Sequence, residues 1–169
     1  SFQALVYCWR GGQRSGAMVT VMDQVGWRVT QLEGGYQTWR RRVNDSLYPS
    51  GDAPAQMKLV LLDGPTGVGK TETLHLLAER GVQTLDLEGM ANHRGSLFGA
   101  RPGGQPAQKL FESRVFVALE ALDPSRPIVV EAESSRIGDR TLPPGLWSAM
   151  KTAPRLALQA SSDARVAHI

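Results

Sequence analysis

Cysteine is almost absent: the chain of 169 residues carries one, Cys8. A single thiol excludes an internal disulfide, a zinc site built from several cysteines and a CxxC redox pair. Cys8 is therefore either a small buried hydrophobe or a nucleophile. Long apolar runs are missing too. None approaches the ~18 residues needed to cross a bilayer, and no signal peptide precedes the first apolar run. A cytoplasmic protein with no membrane partner is the expectation. Lysine is scarce, with only Lys58, Lys70, Lys109 and Lys151, so the net charge of +3 rests on arginine. Arginine's planar fork suits phosphate and nucleic-acid contact better than lysine's point charge. That permits an RNA partner without requiring one. No internal repeat is visible. A hydrophobic fraction of 41% with 21% charged residues leaves a globular chain of one or two domains.

What is present alternates. A short apolar run at residues 3–7 reads as a buried strand. Ser15 reads as the N-cap of a helix to about Val25, with Met18, Val19 and Met22 on one face and Gly26 closing it. Trp27 to Leu32 reads as a strand, and Gly34-Gly35 turns into a helix carrying Tyr36, Trp39 and Val43. Residues 47–56 have linker composition, which divides the chain into domains at 1–46 and 57–169. Lys58 to Asp63 then reads as a strand buried on both faces, followed by a helix from Thr71 to Arg80 and a strand from Val82 to Leu87. Gly89 to Gln108 reads as a glycine-rich loop and Leu110 to Leu122 as a helix. Ile128 to Glu131 is a third strand, and Leu156 to Gln159 begins a further one near the end of the chain. The order βαβα predicts an α/β fold with a largely parallel sheet. A chain that opens directly on a strand and closes in a strand and turn is expected to be an internal fragment of a longer protein.

The strongest motif is Gly64-Pro65-Thr66-Gly67-Val68-Gly69-Lys70-Thr71. It fits G-x-x-x-x-G-K-[ST] and lies between a buried strand and a helix, the context that such a phosphate loop requires. Gly64, Gly67 and Gly69 let the backbone N–H groups turn inward, those of Thr66 and Val68 among them. Lys70 would reach terminal phosphates and Thr71 would hold Mg²⁺. The usual partner is an acid at the end of a neighbouring strand. Glu131 and Glu133 fill that place as an acid or Mg²⁺ site, with Asp86 as a weaker candidate. No residue stands out as a base for attack by water, so nucleotide hydrolysis does not follow.

A second loop carries the thiol: Cys8-Trp9-Arg10-Gly11-Gly12-Gln13-Arg14-Ser15. A thiolate between a strand and a helix N-terminus faces backbone N–H groups. These lower its pKa, as Arg10 and Arg14 would. A persulfide or selenosulfide anion on that sulfur would be held the same way. Trp9 is open to stacking on a base or to packing. Elsewhere, Asn92, His93, Arg94 and Ser96 form a candidate substrate loop, and Arg40-Arg41-Arg42 offers contacts to RNA phosphates. Trp27 and Trp39 read as core residues.

Two longer matches carry a resemblance. Val6 to Ser15, then Leu32-Glu33-Gly34-Gly35-Tyr36 and Trp39, resembles the C-terminal half of a rhodanese domain. With the phosphate loop, the stretch Gly89 to Ser96, Phe98-Gly99 and Glu131 to Gly138, nearly the whole chain resembles the tRNA 2-selenouridine synthase family. It departs at Ala132, where an acidic residue is common. The resemblance implies a partial rhodanese-like domain followed by a partial P-loop NTPase-like domain. It implies a transferase that converts wobble 2-thiouridine of tRNA to 2-selenouridine through an S-geranyl intermediate. Geranyl diphosphate and selenophosphate would be the small phosphorylated co-substrates, with Cys8 as the essential cysteine. No tightly bound cofactor or structural metal is implied, and Mg²⁺ remains a candidate ion. The alternative is a P-loop nucleotide-binding regulatory module whose rhodanese domain is inactive.

Overall fold

A computed structural model describes residues 3–49, 57–95 and 99–168. The chain divides into two compact units, Ser1–Asp45 and Ser46–Ile169. Ser96 of the candidate loop, Phe98 of the resemblance, and residues 50–56 of the expected linker lie outside the described residues.

The first unit runs β1 (Gln3–Val6), α1 (Gln13–Gln24), β2 (Arg28–Gln31) and the start of α2 (Tyr36–Leu47). The two strands are parallel, with Ala4 beside Val29 and Val6 beside Gln31. Helix α1 starts two residues before the expected cap. Gly12, at φ 81°, is its N-cap, and Ser15 lies inside the first turn, buried. The glycine takes the left-handed turn that a serine would resist, and Ser15 is thereby freed for another role. With only two strands and their helices, this unit encloses little. Met18, on the predicted apolar face, is 53% exposed, and Trp27, expected in the core, is 49% exposed.

The second unit is built on β3 (Leu59–Asp63), α3 (Lys70–Glu79), β4 (Gln83–Leu85), α4 (Leu87–Ala91), α5 (Gln108–Glu120) and β5 (Ile128–Glu131). A hairpin of β6 (Arg136–Ile137) and β7 (Arg140–Thr141) follows, then α6 (Pro144–Thr152), β8 (Arg155–Ala157) and α7 (Ser162–His168). The sheet order is β4-β5-β3-β8, and every pairing is parallel. Strand β5 is buried at all four positions, which fits its unbroken Ile-Val-Val run. Leu62, Leu74 and Val129 form one core cluster, packed by Leu77, Val82 and Leu158. Each fully buried leucine there contributes about 1.5–3 kcal/mol of transfer free energy.

Three elements depart from expectation. The segment read as a loop from Gly89 begins inside α4, because Asp86 accepts the Gly89 N–H at 2.7 Å and starts a helix there. Helix α6, entered through Pro143-Pro144, lies in a stretch that had no assignment. The last turn of chain is not strand and turn: β8 ends at Ala157, and α7 follows.

A parallel sheet aligns the C-terminal ends of its strands along one edge, where ligands of such folds collect. Here Asp63, Leu85 and Glu131 end β3, β4 and β5 on that edge.

Candidate functional site

The phosphate loop leaves β3 at Asp63, whose carboxylate accepts the Gly64 N–H at 2.8 Å and the Arg155 guanidinium at 2.8 Å. Arg155 and that amide hold the Asp63 pKa below the ordinary carboxylate range. At Gly64 a β-carbon would stand 2.8 Å from the Leu158 carbonyl oxygen and 2.9 Å from Val68 Cγ1. Only glycine lets the loop pass that close. Gly69, at φ 81°, is the N-cap of α3 and offers no side-chain cap. The first N–H groups of α3 therefore keep their partial positive charge for an anion. Lys70 Nζ donates to the Gly64 carbonyl at 2.8 Å, so the ammonium is held over the loop it is expected to serve.

Around this lysine the sheet edge gathers acids. Glu131 ends β5, Glu133 follows two residues on, and Glu88 enters from the first turn of α4. One carboxylate oxygen from each lies within 4.8 Å of the other two. Glu131 is fully buried, and neither of its oxygens has a hydrogen-bond partner among the described residues. Burial pushes its pKa up to about 7, against the opposing pull of the Thr71 side chain. Burial also raises Glu88, to about 7, helped by the charge of Glu133, and it raises Glu133. Each of these two carboxylates acts on the other, so they titrate as a pair. Lys70 favours the ionised form of all three.

The sequence pointed to Glu131, Glu133, Lys70 and Thr71, and the fold brings them together. Sequence reading missed Glu88. Its signal was Leu85-Asp86-Leu87-Glu88, acids just past a buried strand. Asp86 itself is occupied elsewhere: one oxygen caps α4, and the other stands 3.2 Å from His75 Nε2. Asn92 and His93 are not in a free loop either. Asn92 closes α4 in the left-handed conformation at φ 49°. His93 is buried, and its Nδ1 accepts the Gly95 N–H at 3.1 Å. Arg94 is exposed, and its N–H donates to the Gly99 carbonyl at 2.7 Å.

In the first unit, Cys8 sits between β1 and α1, half-buried. Its pKa is lowered to about 7, first by the Ser15 hydroxyl and then, against some desolvation, by the N–H groups of Ser15, Gly12 and Arg10. Hydroxyl and amides do the work that the sequence had shared with the guanidinium groups of Arg10 and Arg14; those side chains, like Gln13, lie exposed. The loop is pinned from the far side by α2. Tyr36 N–H donates to the Cys8 carbonyl at 2.9 Å and Gln37 N–H to the Trp9 carbonyl at 3.2 Å. A β-carbon at Gly35 would collide with that Cys8 carbonyl. Trp9 stacks on Tyr36, ring centres 5.2 Å apart, with its outer face open to solvent.

Comparison with known proteins follows the same lines. Residues 57–169 match the family described as the tRNA 2-selenouridine synthase AAA domain. The chain is 38% identical over 163 residues to a tRNA 2-selenouridine synthase of Alcanivorax borkumensis, covering 95% of this chain and 43% of that protein. It is 40% identical over 166 residues to that of Pseudomonas syringae pv. tomato, covering 97% and 43%. For a Shewanella enzyme of the same name the identity is 37% over 169 residues, covering 99% and 44%. The chain thus spans less than half the length of these relatives. No solved structure matches it.

Proposed function

The chain belongs to the tRNA 2-selenouridine synthase family, and from that premise we propose that the full-length protein is a cytoplasmic tRNA-modifying transferase. It replaces the sulfur of wobble 2-thiouridine by selenium through an S-geranyl intermediate. The observation that carries the reading is a thiol lowered to about 7 and a lysine-bearing phosphate loop in one chain. The β1–α1–β2 unit with Cys8 at its turn is, on this reading, the C-terminal half of a rhodanese-like domain.

In the first step the base sulfur attacks C1 of geranyl diphosphate. The C–O bond breaks, and diphosphate leaves with the electron pair. The N–H groups of Thr66, Gly67 and Gly69, the start of α3 and Lys70 hold that growing negative charge. In the second step the selenium of selenophosphate attacks C2 of the base and the C–S bond breaks to release the geranyl thiolate; water then cleaves the Se–P bond, so that inorganic phosphate leaves and the selenium stays on the base with a proton. Cys8, ionised near neutral pH, is the group that handles the chalcogen. The Glu88–Glu133 pair, two carboxylates that titrate together, gives or takes a proton beside the phosphate loop.

Glu131 is a buried carboxylate whose two oxygens have no hydrogen-bond partner among the described residues, a donor set suited to a hard cation. Glu131 and Thr71 would hold Mg²⁺, which would neutralise charge on the diphosphate.

The test uses the full-length protein and tRNA bearing 2-thiouridine. Cys8→Ala should abolish 2-selenouridine, read by mass spectrometry of the digested tRNA. Lys70→Ala should weaken geranyl diphosphate binding. Unchanged product from the first, or unchanged affinity in the second, removes the corresponding role.

A further inference from the structure

Beyond the phosphate loop, the second unit holds a cavity of about 340 Å³, bordered by Asn92, His93, Arg101, Gln105, Asp139 and Arg140. It falls at the lower end of the size range of small-molecule sites. Its walls come from three separate segments, and side chains tie them together. The Asn92 amide donates to the Pro102 carbonyl at 3.0 Å and to the Gly104 carbonyl at 2.8 Å. Gln105 Nε2 donates to the carbonyls of Ala91 at 3.2 Å and Ile137 at 2.9 Å, while its Oε1 accepts the Asp139 N–H at 2.7 Å. One glutamine thus joins the end of α4, the end of β6 and the turn to β7. The left-handed Asn92 is the sole non-glycine residue at positive φ among the described residues. Such a conformation persists where the surroundings enforce it. These walls are set before any ligand arrives.

The lining is cationic. Two guanidinium groups, Arg101 and Arg140, and the buried imidazole of His93 face one carboxylate, Asp139. Arg140 Nε is buried and has no hydrogen-bond partner among the described residues. A buried guanidinium N–H without an acceptor is costly, and a phosphate oxygen would satisfy it. Charge on the cavity wall reaches one of the acids, Glu88. The His93 N–H donates to the Glu88 carbonyl at 3.0 Å, and the Glu88 carboxylate feels both Arg101 and Lys70.

We propose that this cavity is a second phosphate site, separate from the phosphate loop, in which Arg101 and Arg140 grip the phosphate of a small phosphorylated ligand. The carboxylate of Glu88 then feels a cation from each of two anion sites, Arg101 and Lys70. The phosphate loop would hold one phosphorylated molecule, and the cavity would hold another. This deepens the proposed function, because a transferase with two phosphorylated co-substrates needs two such sites. The cavity can still be tested by binding alone.

Full-length protein carrying Lys70→Ala, which disables the phosphate loop, is titrated with inorganic phosphate and pyrophosphate by calorimetry. Residual binding is expected, and Arg101→Met or Arg140→Gln should weaken it about tenfold or more, in keeping with loss of a charge-assisted bond. Thermal melting identifies any variant that fails to fold, and Arg101→Met, at a partly exposed position, is the safer of the two. Unchanged affinity in a folded Arg101→Met protein overturns the site. Retained phosphate binding with lost tRNA binding in the same variants also overturns it, in favour of an RNA backbone phosphate. Neither readout depends on selenouridine formation. A failure of the Cys8→Ala test therefore leaves this result standing, and the reverse holds too.

Discussion

Ser15 Oγ stands 3.5 Å from Cys8 Sγ and 3.1 Å from Gln31 Nε2, which donates to it. The serine proton has two acceptors in reach, the sulfur and the Gly12 carbonyl at 3.0 Å. That carbonyl already receives Gln31 Nε2 at 2.8 Å and the Gly16 N–H at 2.7 Å. Once the thiol ionises, the sulfur is the hungrier acceptor. Gln31, on β2, thus turns the serine hydroxyl toward the thiolate.

Ser15→Ala should raise the Cys8 pKa above its value of about 7. At pH 7 about half of the thiol is ionised, and a rise of one unit would leave roughly a tenth. Alkylation by iodoacetamide across pH 6 to 10 reads the midpoint directly. Gln31→Leu should shift it the same way but less. An unmoved midpoint in Ser15→Ala would mean the hydroxyl is a bystander.

Glu131 makes stability fall as pH rises. Its folded-state pKa, about 7, lies above the ordinary 4.5, so the folded state binds the extra proton. The contribution is full below pH 4.5 and is lost as pH climbs through 7. The gap is worth on the order of 3 kcal/mol. Denaturant unfolding at pH 5.5 and 8 should show Glu131→Gln losing much less stability across that interval than the unsubstituted protein. Parallel profiles would place the titration elsewhere.

Magnesium should reverse that loss. At pH 8, Mg²⁺ with pyrophosphate should raise the melting temperature, since a ligand bound only by the folded state stabilises it by mass action. Glu131→Gln should remove most of the magnesium-dependent part and leave the pyrophosphate part. If Mg²⁺ stabilises both proteins equally, the ion is not held by this carboxylate.

Gly35→Ala should loosen the cysteine loop. Gly35 has φ 69°, where an L-residue costs about 1–2 kcal/mol, and its β-carbon would push on the Cys8 carbonyl that caps α2. A lower melting temperature together with slower alkylation at pH 7 is the expected pair of results. A variant as stable and as reactive as the parent would contradict the packing described.

The glycine-rich turn after β3 was legible because its geometry is local. Gly64 to Thr71 must be glycine-rich to pass Leu158 and Val68, and the buried Leu-Val-Leu-Leu run before it can only be a central strand. Glu131 was legible for the same reason, as the acid that ends a buried run. Helix α4 was not. Its five residues follow a glycine-rich pattern, and its start depends on Asp86 turning back onto Gly89. The burial of His93 escaped notice because it depends on the packing around it rather than on its neighbours in sequence. Trp27 misled in the other direction. An aromatic residue beside a strand suggests a core, but two strands do not make one.

By itself the sequence settled the alternation of strands and helices, the turn at Cys8 and the glycine-rich turn from Gly64 to Thr71. Each of these is written in hydrophobic period, glycine placement and nearest neighbours. The parallel order β4-β5-β3 alone decided that Glu88, some forty residues from Glu131, would share its cluster, and the packing of three segments around Gln105 decided that Arg101 and Arg140 would line one cavity. Pairing across such distances is set by the burial of whole faces, and no local pattern encodes it.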